Sequence, residues 1–171
     1  MNSYNASSGV MDLATTASGT VIAALNNPAG SGKNLLLKNA AYRGDFVGTP
    51  GTTRVLVSVN RATGTAAGGT GSKSGTGIAR RNPGHVTSIA SFFWGPAAIT
   101  GLTDASPEGL LKSVSIPSTL STVAEDIIED IKDFSTTDPM VIVPGTSLIF
   151  RTASISIAGT GFGIDIAWGE Q

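Results

Sequence analysis

Apolar and small or polar residues alternate strictly near the C-terminal end of the chain. Phe162, Ile164, Ile166 and Trp168 occupy every second position, and glycine, aspartate or alanine stands between them. Successive side chains of a β-strand point to opposite faces, so this spacing places four large apolar groups on one face. The pattern predicts a strand with one buried face, which has to pack against a second layer.

Strand-like segments recur along the rest of the chain at the short spacings of a sandwich, about eight in all. The clearest of the others are residues 20–25, 33–42, 53–60, 86–94, 110–116, 140–143 and 147–157. Turn residues separate them, and 158–161 is expected to form a hairpin between the last two strands. The sequence therefore predicts an all-β fold, an antiparallel, jelly-roll-like β-sandwich of one domain over residues 19–171.

Two segments are expected to lie outside that sandwich. Residues 1–18 are small and polar, and they predict a flexible N-terminal arm. Residues 61–77 (RATGTAAGGTGSKSGTG) are low in complexity and rich in glycine. They predict either a long mobile loop or a segment that is ordered only by a neighbouring chain.

The segment 122–134 fits two kinds of element. Ile127, Ile128, Ile131 and Phe134 fall at helical spacing, but Ile127 and Ile131 would also share one face of a strand. A strand is favoured because both flanking segments are β-like.

Composition limits the function classes. The chain of 171 residues is 13% charged, against about 25% in an average soluble protein. A surface with so few charges gives a free monomer low solubility, so much of this surface is expected to lie against partner chains. A net charge of −1 argues against a nucleic-acid partner.

Targeting and cysteine chemistry are also constrained. The absence of cysteine excludes disulfides, cysteine-type zinc sites and thiol nucleophiles. The first residues carry no secretory signal, and no apolar run approaches the roughly 18 residues that a membrane-spanning helix needs. We therefore expect synthesis in a cytoplasm and no membrane partner.

The segment Asn26–Asp45 (NNPAGSGKNLLLKNAAYRGD) resembles a phosphate-binding loop only superficially. That loop requires G-x-x-x-x-G-K-[ST], whose hydroxyl residue binds magnesium. Here Asn34 follows Gly32-Lys33, and Asn27 stands at the position of the first glycine. The segment instead predicts a Pro/Gly turn between two strands.

Residues with catalytic potential are few. His85 has neither a cysteine nor a second histidine with which to share a metal, and it sits in a turn-like context. The acidic cluster consists of Glu125, Asp126, Glu129, Asp130 and Asp133. A solvated acidic face is the favoured interpretation, followed by a subunit contact with a basic neighbour and then by catalysis. No catalytic, cofactor-binding or metal-binding residue is predicted, and no cofactor.

The aromatic residues predict core filling rather than a ligand platform. They are Phe92, Phe93, Trp94, Phe150, Phe162 and Trp168. Because neighbours on a strand point to opposite sides, Phe93 or Trp94 could face outward and anchor an interface.

Four segments together resemble small virion structural proteins of tailed bacteriophages. They are 24–42 (ALNNPAGSGKNLLLKNAAY), 52–59 (TTRVLVSV), 108–116 (EGLLKSVSI) and the Pro144–Leu148 turn with the strands around it. The resemblance covers most of residues 19–169, and the chain departs from it at 61–77 and 122–134.

The resemblance implies a non-enzymatic capsid decoration, or cement, protein on a β-sandwich. Such a protein would be a homotrimer that binds the major capsid protein, at the capsid surface of virions assembled in the host cytoplasm. The alternative within the same family is a tail, fibre or receptor-binding β-domain, which would use exposed aromatics and the 61–77 segment to contact a glycan. The alternative from another class is a hydrolase that uses carboxylates of 125–133.

Overall fold

The protein is a sandwich of two antiparallel sheets. The structure, a computed structural model, describes residues 1–12, 19–46, 54–95, 97, 99–104, 110–117, 126–133, 140–154 and 160–171. These residues form strands, turns and one 3₁₀ turn, and contain no α-helix. The predicted all-β sandwich is therefore confirmed.

Sheet A has the order β11–β4–β14–β1–β7, with β12 also paired to β4 and β2 to β14. Its described strands are β1 (Asn2–Ser7), β2 (Met11–Asp12), β4 (Leu35–Phe46), β7 (Ala79–Arg80), β11 (Asp126–Asp133), β12 (Met140–Ile142) and β14 (Thr160–Glu170).

Sheet B has the order β10–β5–β13–β3–β8–β6, with β9 also paired to β5. Its described strands are β3 (Val21–Asn26), β5 (Arg54–Gly68), β6 (Gly71–Ser74), β8 (Ser91–Trp94), β9 (Ile99–Asp104), β10 (Leu110–Pro117) and β13 (Thr146–Ser154). The 3₁₀ turn Gly75–Gly77 follows β6.

The strand connections are nested as in a jelly roll. Along the chain, β3, β4 and β5 alternate between the sheets, and so do β10, β11 and β13. Each strand of the second set pairs antiparallel with one of the first: β10 with β5, β11 with β4, and β13 with β3. A ribbon of paired strands folded over in this way gives the jelly-roll-like architecture expected from the sequence.

The main core lies between the two sheets. The four alternating residues Phe162, Ile164, Ile166 and Trp168 are all at most 2% exposed, as their spacing predicts. They meet Phe92 and Phe150 from sheet B. Apolar burial of this kind contributes roughly 25 cal/mol per Å² and is the main force that holds the sheets together.

The prediction of a flexible arm over residues 1–18 is wrong for its described part. β1 pairs with β14 over the whole length from Asn2↔Glu170 to Ser7↔Asp165, and β2 pairs with the same strand further along. Tyr4 is fully buried and Met11 is 2% exposed. Residues 13–18 lie outside the described part of the chain.

The N-terminal strand was not predicted because few of its residues are large and apolar. Its inward positions alternate correctly, but they hold only Tyr4 and Ala6, and the outward ones are serine and asparagine. Ser8 then bridges to β14: its N–H donates to the Ile164 carbonyl (2.8 Å), and its Oγ accepts from the Ile164 N–H (2.8 Å). A segment with so few apolar residues resembles a flexible arm. Its backbone hydrogen bonds and one large buried aromatic side chain nevertheless make this segment part of the sheet.

The glycine-rich segment 61–77 is also ordered within its own chain, contrary to the expected loop. It forms the second half of β5, then β6 and the 3₁₀ turn. Since β13, β3 and β8 lie between β5 and β6 in sheet B, the chain crosses the outer face of that sheet. Ala62 and Ala66 are at most 4% exposed and form a second apolar cluster with Ala24, Ile99 and Ile149.

Glycine is required where this crossover meets β9. Gly64 and Gly101 both have positive φ, at 104° and 78°. A Cβ on Gly64 would overlap the Gly101 carbonyl oxygen, and one on Gly101 would overlap the Thr65 carbonyl oxygen. The small residues of this segment resemble a linker in the sequence. In the structure they allow the backbone of the crossover to pass very close to the backbone of β9.

The segment 122–134 is a strand where it is described. β11 covers Asp126–Asp133 and pairs with β4, which confirms the favoured interpretation. Residues 122–125 and 134 lie outside the described part of the chain.

The predicted hairpin between the last two strands is wrong. β13 belongs to sheet B and β14 to sheet A, so the chain passes from one sheet to the other after Ser154. Two strands that face one core from opposite sides show the same alternation as two neighbours in a sheet, and the sequence pattern does not separate the cases.

None of the described residues forms a helix long and apolar enough to cross a membrane.

Candidate functional site

The turn between β3 and β4 is organised around a buried amide. Asn27 is fully buried, and its Nδ2 donates to the carbonyls of Lys33 (2.8 Å) and Ile142 (2.9 Å). Its Oδ1 accepts from Ser31 Oγ (2.8 Å). The amide side chain is hydrogen-bonded within the segment that joins β3 to β4, so the predicted turn between two strands is confirmed.

Lys33 is engaged in an ion pair with a carboxylate at the end of β14. Its Nζ lies 3.8 Å from Glu170 Oε2, and the Glu170 side chain is fully buried. Oε1 of Glu170 accepts from Ser88 Oγ (2.6 Å) and from the Ile89 N–H (3.0 Å). Burial of a carboxylate costs several kcal/mol unless it is paired and hydrogen-bonded. Oε1 has two hydrogen bonds, whereas the buried Oε2 has no hydrogen-bond partner and only the longer ionic contact with Lys33.

The contacts of the Glu170 carboxylate hold parts of the fold together. Ser88 is 5% exposed and Glu170 is 3% exposed, so a substrate does not reach this Ser–Glu pair. Next to it, Asn34 and Gln171 exchange two backbone hydrogen bonds of 2.8 and 3.2 Å. The group fixes the C-terminal end of β14 to the turn after β3 and to residues 88–89.

His85 lies in a turn beside the N-terminal strand. The turn closes through a hydrogen bond from the His85 N–H to the Asn82 carbonyl (3.0 Å), and His85 Nδ1 accepts from the Ser3 N–H (3.0 Å). Arg80 Nη1 donates to the His85 carbonyl (2.9 Å). His85 Nδ1 thus accepts a backbone hydrogen bond from β1, next to the residues of β1 that pair with β7.

Tyr4 connects this edge to the core. Its hydroxyl donates to the Val86 carbonyl (2.8 Å), and its ring stacks on Trp168 with centroids 6.0 Å apart. Burial raises the pKa of the Tyr4 hydroxyl above its ordinary value, and the Glu170 carboxylate raises it further. A hydrogen bond with Asn2 and the charge of Arg80 partly offset this rise. The burial, the hydrogen bond and the ring contact make Tyr4 a structural group of the core.

A second polar group on the outer face of sheet B was not foreseen from the sequence. Arg151 Nη2 lies 3.2 Å from Asp104 Oδ2, and Asn60 Nδ2 lies 3.3 Å from both Asp104 oxygens. The three residues come from β13, β9 and β5 and share no sequence pattern. They fasten β9 to the sheet, and no nucleophile accompanies them among their described contacts.

The acidic cluster lies at one end of sheet A, because β11 is the first strand in the order of that sheet. Glu125 is outside the described residues. Among the described side chains, no three His, Cys, Asp or Glu residues come together as metal ligands would.

The aromatic side chains divide between the two clusters. Phe92, Phe150, Phe162 and Trp168 fill the main core, as expected. Phe93 faces outward from sheet B but packs against the second cluster, while Trp94 packs against the main core beneath the Lys73 ammonium, which lies 5.8 Å from its ring centroid.

The outer face of sheet A carries small side chains around a shallow groove of about 140 Å³. The groove is lined by Asn5, Ala6, Ser7, Asn39, Ala41, Asp165, Ile166 and Ala167, from β1, β4 and β14. Asp165 is the one charged residue among them. A face of this kind lets another protein surface approach the backbone of the sheet closely.

Comparisons of the chain with models of known protein families, with curated proteins and with solved structures gave no match.

Proposed function

We propose that the protein is a non-enzymatic structural component of a tailed-bacteriophage virion, a decoration protein that binds the major capsid protein. It acts as a homotrimer on the capsid surface, after assembly in the host cytoplasm. Its mechanism is burial of small-residue sheet surface against capsid subunits at many symmetric sites, where avidity multiplies a modest individual affinity.

The observation that carries the proposal is the outer face of sheet A. Asn5, Asn39 and Ala167 present short side chains at the surface of β1, β4 and β14, and the charged fraction of the whole chain is only 13%. Short uncharged groups lose little side-chain entropy when they are covered, so such a face is suited to a permanent contact.

Other observations favour the shell role over the receptor-binding alternative. That alternative uses exposed aromatics and a free 61–77 segment to contact a glycan. Phe93 and Trp94 are instead packed against the two clusters, and the described 61–77 segment belongs to sheet B and its crossover.

The proposal is tested by adding purified protein back to particles that lack it and then heating them. Wild-type protein is expected to bind at a high, symmetry-related copy number and to delay genome release on heating. Ala167→Arg, which places a long cation on the outer face of sheet A, is expected to weaken binding by at least about tenfold.

The matched control is Ser72→Arg, which adds the same side chain at an exposed position of β6 in sheet B. It should bind like the wild type. Equal binding of the two variants would reject the outer face of sheet A as the contact, and absence of any binding by the wild type would reject the shell role.

A further inference from the structure

Charge is strongly segregated along the chain. Residues 46–103 contain five cations, at Arg54, Arg61, Lys73, Arg80 and Arg81, and no carboxylate. Residues 104–138 contain eight carboxylates and only two lysines. The net charge of −1 therefore conceals two blocks of opposite sign.

The fold places parts of these blocks at opposite ends of sheet A. β11 supplies one end and holds four carboxylates and one lysine in eight residues. β7 supplies the other end, where Arg80 and the following Arg81 are both exposed. Three strands lie between them, so at about 4.8 Å per strand the two ends are roughly 19 Å apart.

At the basic end, the backbone of residues 79–81 contacts β1, while the Arg80 and Arg81 side chains are exposed. The Arg81 N–H donates to the Ser3 carbonyl (2.9 Å), and β7 pairs with β1 at Tyr4↔Arg80. Lys73 lies at the same edge, where its Nζ donates to the Ser7 carbonyl (3.0 Å). A row of three cations thus follows the edge of β1.

The acidic end keeps a negative charge when the strand beside it is counted. In the register of β11 and β4, Asp126 stands opposite Asp45 and Ile128 stands opposite Arg43, so the paired part of β4 adds one carboxylate and one cation to the four carboxylates and one lysine of β11. Like charges in facing positions of a sheet are destabilising, and a cation brought to this edge from outside would relieve the repulsion.

Both strands are paired on one side only in the part of the chain that the structure describes, β11 by β4 and β7 by β1. A terminal strand has backbone groups available for another chain. The same molecule therefore presents an acidic sheet edge and a basic sheet edge that face in opposite directions.

We infer that copies of this chain associate head to tail, with the acidic β11 edge of one copy against the basic β7 edge of the next. A contact between two different patches closes into a ring when the rotation between copies permits, and a trimer is the smallest such ring beyond a dimer. The inference specifies the self-association within the proposed function, but purified protein alone tests it, so its failure leaves capsid binding unaffected.

The test is sedimentation of the purified protein at low and at high salt. The wild type is expected to associate at low ionic strength and to dissociate toward monomer near 1 M salt, where the screening length falls to about 3 Å. Arg81→Glu is expected to weaken association by at least about tenfold. Arg61→Glu is the matched control, because it produces the same net charge at an exposed position of sheet B, and it should behave like the wild type.

A charge exchange distinguishes a direct contact from a loss of folding. Asp130→Lys alone should also weaken association, and the chain that carries both Arg81→Glu and Asp130→Lys should associate more tightly than either single variant. A monomeric wild type at low salt, a salt-insensitive oligomer, equal effects of Arg61→Glu and Arg81→Glu, or no recovery in the combined variant would each overturn the inference.

Discussion

Replacement of Trp168 by alanine is expected to lower the free energy of unfolding by about 3–5 kcal/mol, the usual cost of removing a large aromatic side chain from a core. Trp168 is fully buried, belongs to the main core and stacks on Tyr4. A domain of this size has about 5–15 kcal/mol of stability in total, so the variant should be close to unfolding. Urea denaturation followed by circular dichroism measures the loss.

Trp168→Phe is the control for this prediction. Trp168 Nε1 is buried without a hydrogen-bond partner, so phenylalanine removes no polar contact and leaves only a smaller side chain. Trp168→Phe should lower the free energy of unfolding clearly less than Trp168→Ala does. A loss below about 1 kcal/mol for Trp168→Ala would show that the C-terminal strand does not face the core.

Replacement of Tyr4 by alanine should have the second largest effect, about 3 kcal/mol, again measured by urea denaturation. Tyr4 is fully buried, and its hydroxyl donates to the Val86 carbonyl. The neighbouring Asn5 is exposed, so Asn5→Ala is expected to change stability by no more than about 0.5 kcal/mol.

This pair of variants distinguishes an N-terminal strand from the flexible arm that the sequence predicts. An arm would give two small and equal effects. A large effect for Tyr4 and a small one for Asn5 follows only if the N-terminal residues form a strand with one buried face.

Strands with large alternating residues were readable from the sequence. In β14 every inward position from Phe162 to Trp168 holds a large apolar residue, and each is buried. Where inward positions hold alanine, as at Ala6, Ala62 and Ala66, the same period is present but carries too little apolar contrast to be recognised. Those positions account for both the missed N-terminal strand and the missed crossover.

The polar contacts that fix the fold were beyond sequence reasoning. Asn27 and Ile142 are 115 positions apart, and Ser88 and Glu170 are 82 apart. Local patterns do not predict such pairs, because they arise only once the strand order is set. The turn chemistry around Asn27 was readable, but the burial of its amide and the pairing of Lys33 with Glu170 were not.

The spatial relation of the two charged segments could not be predicted from the sequence. The sequence contains the adjacent cations Arg80 and Arg81 and the acidic cluster within 125–133. Only the strand order puts β7 and β11 at opposite ends of one sheet.

Imaging of the native particle with this chain located on it tests the proposed function most directly. The account predicts density for the sandwich at every equivalent position of the capsid shell, with the outer face of sheet A turned toward the major capsid protein. One or a few copies confined to the tail, or a particle shell that never carries the chain, would contradict it.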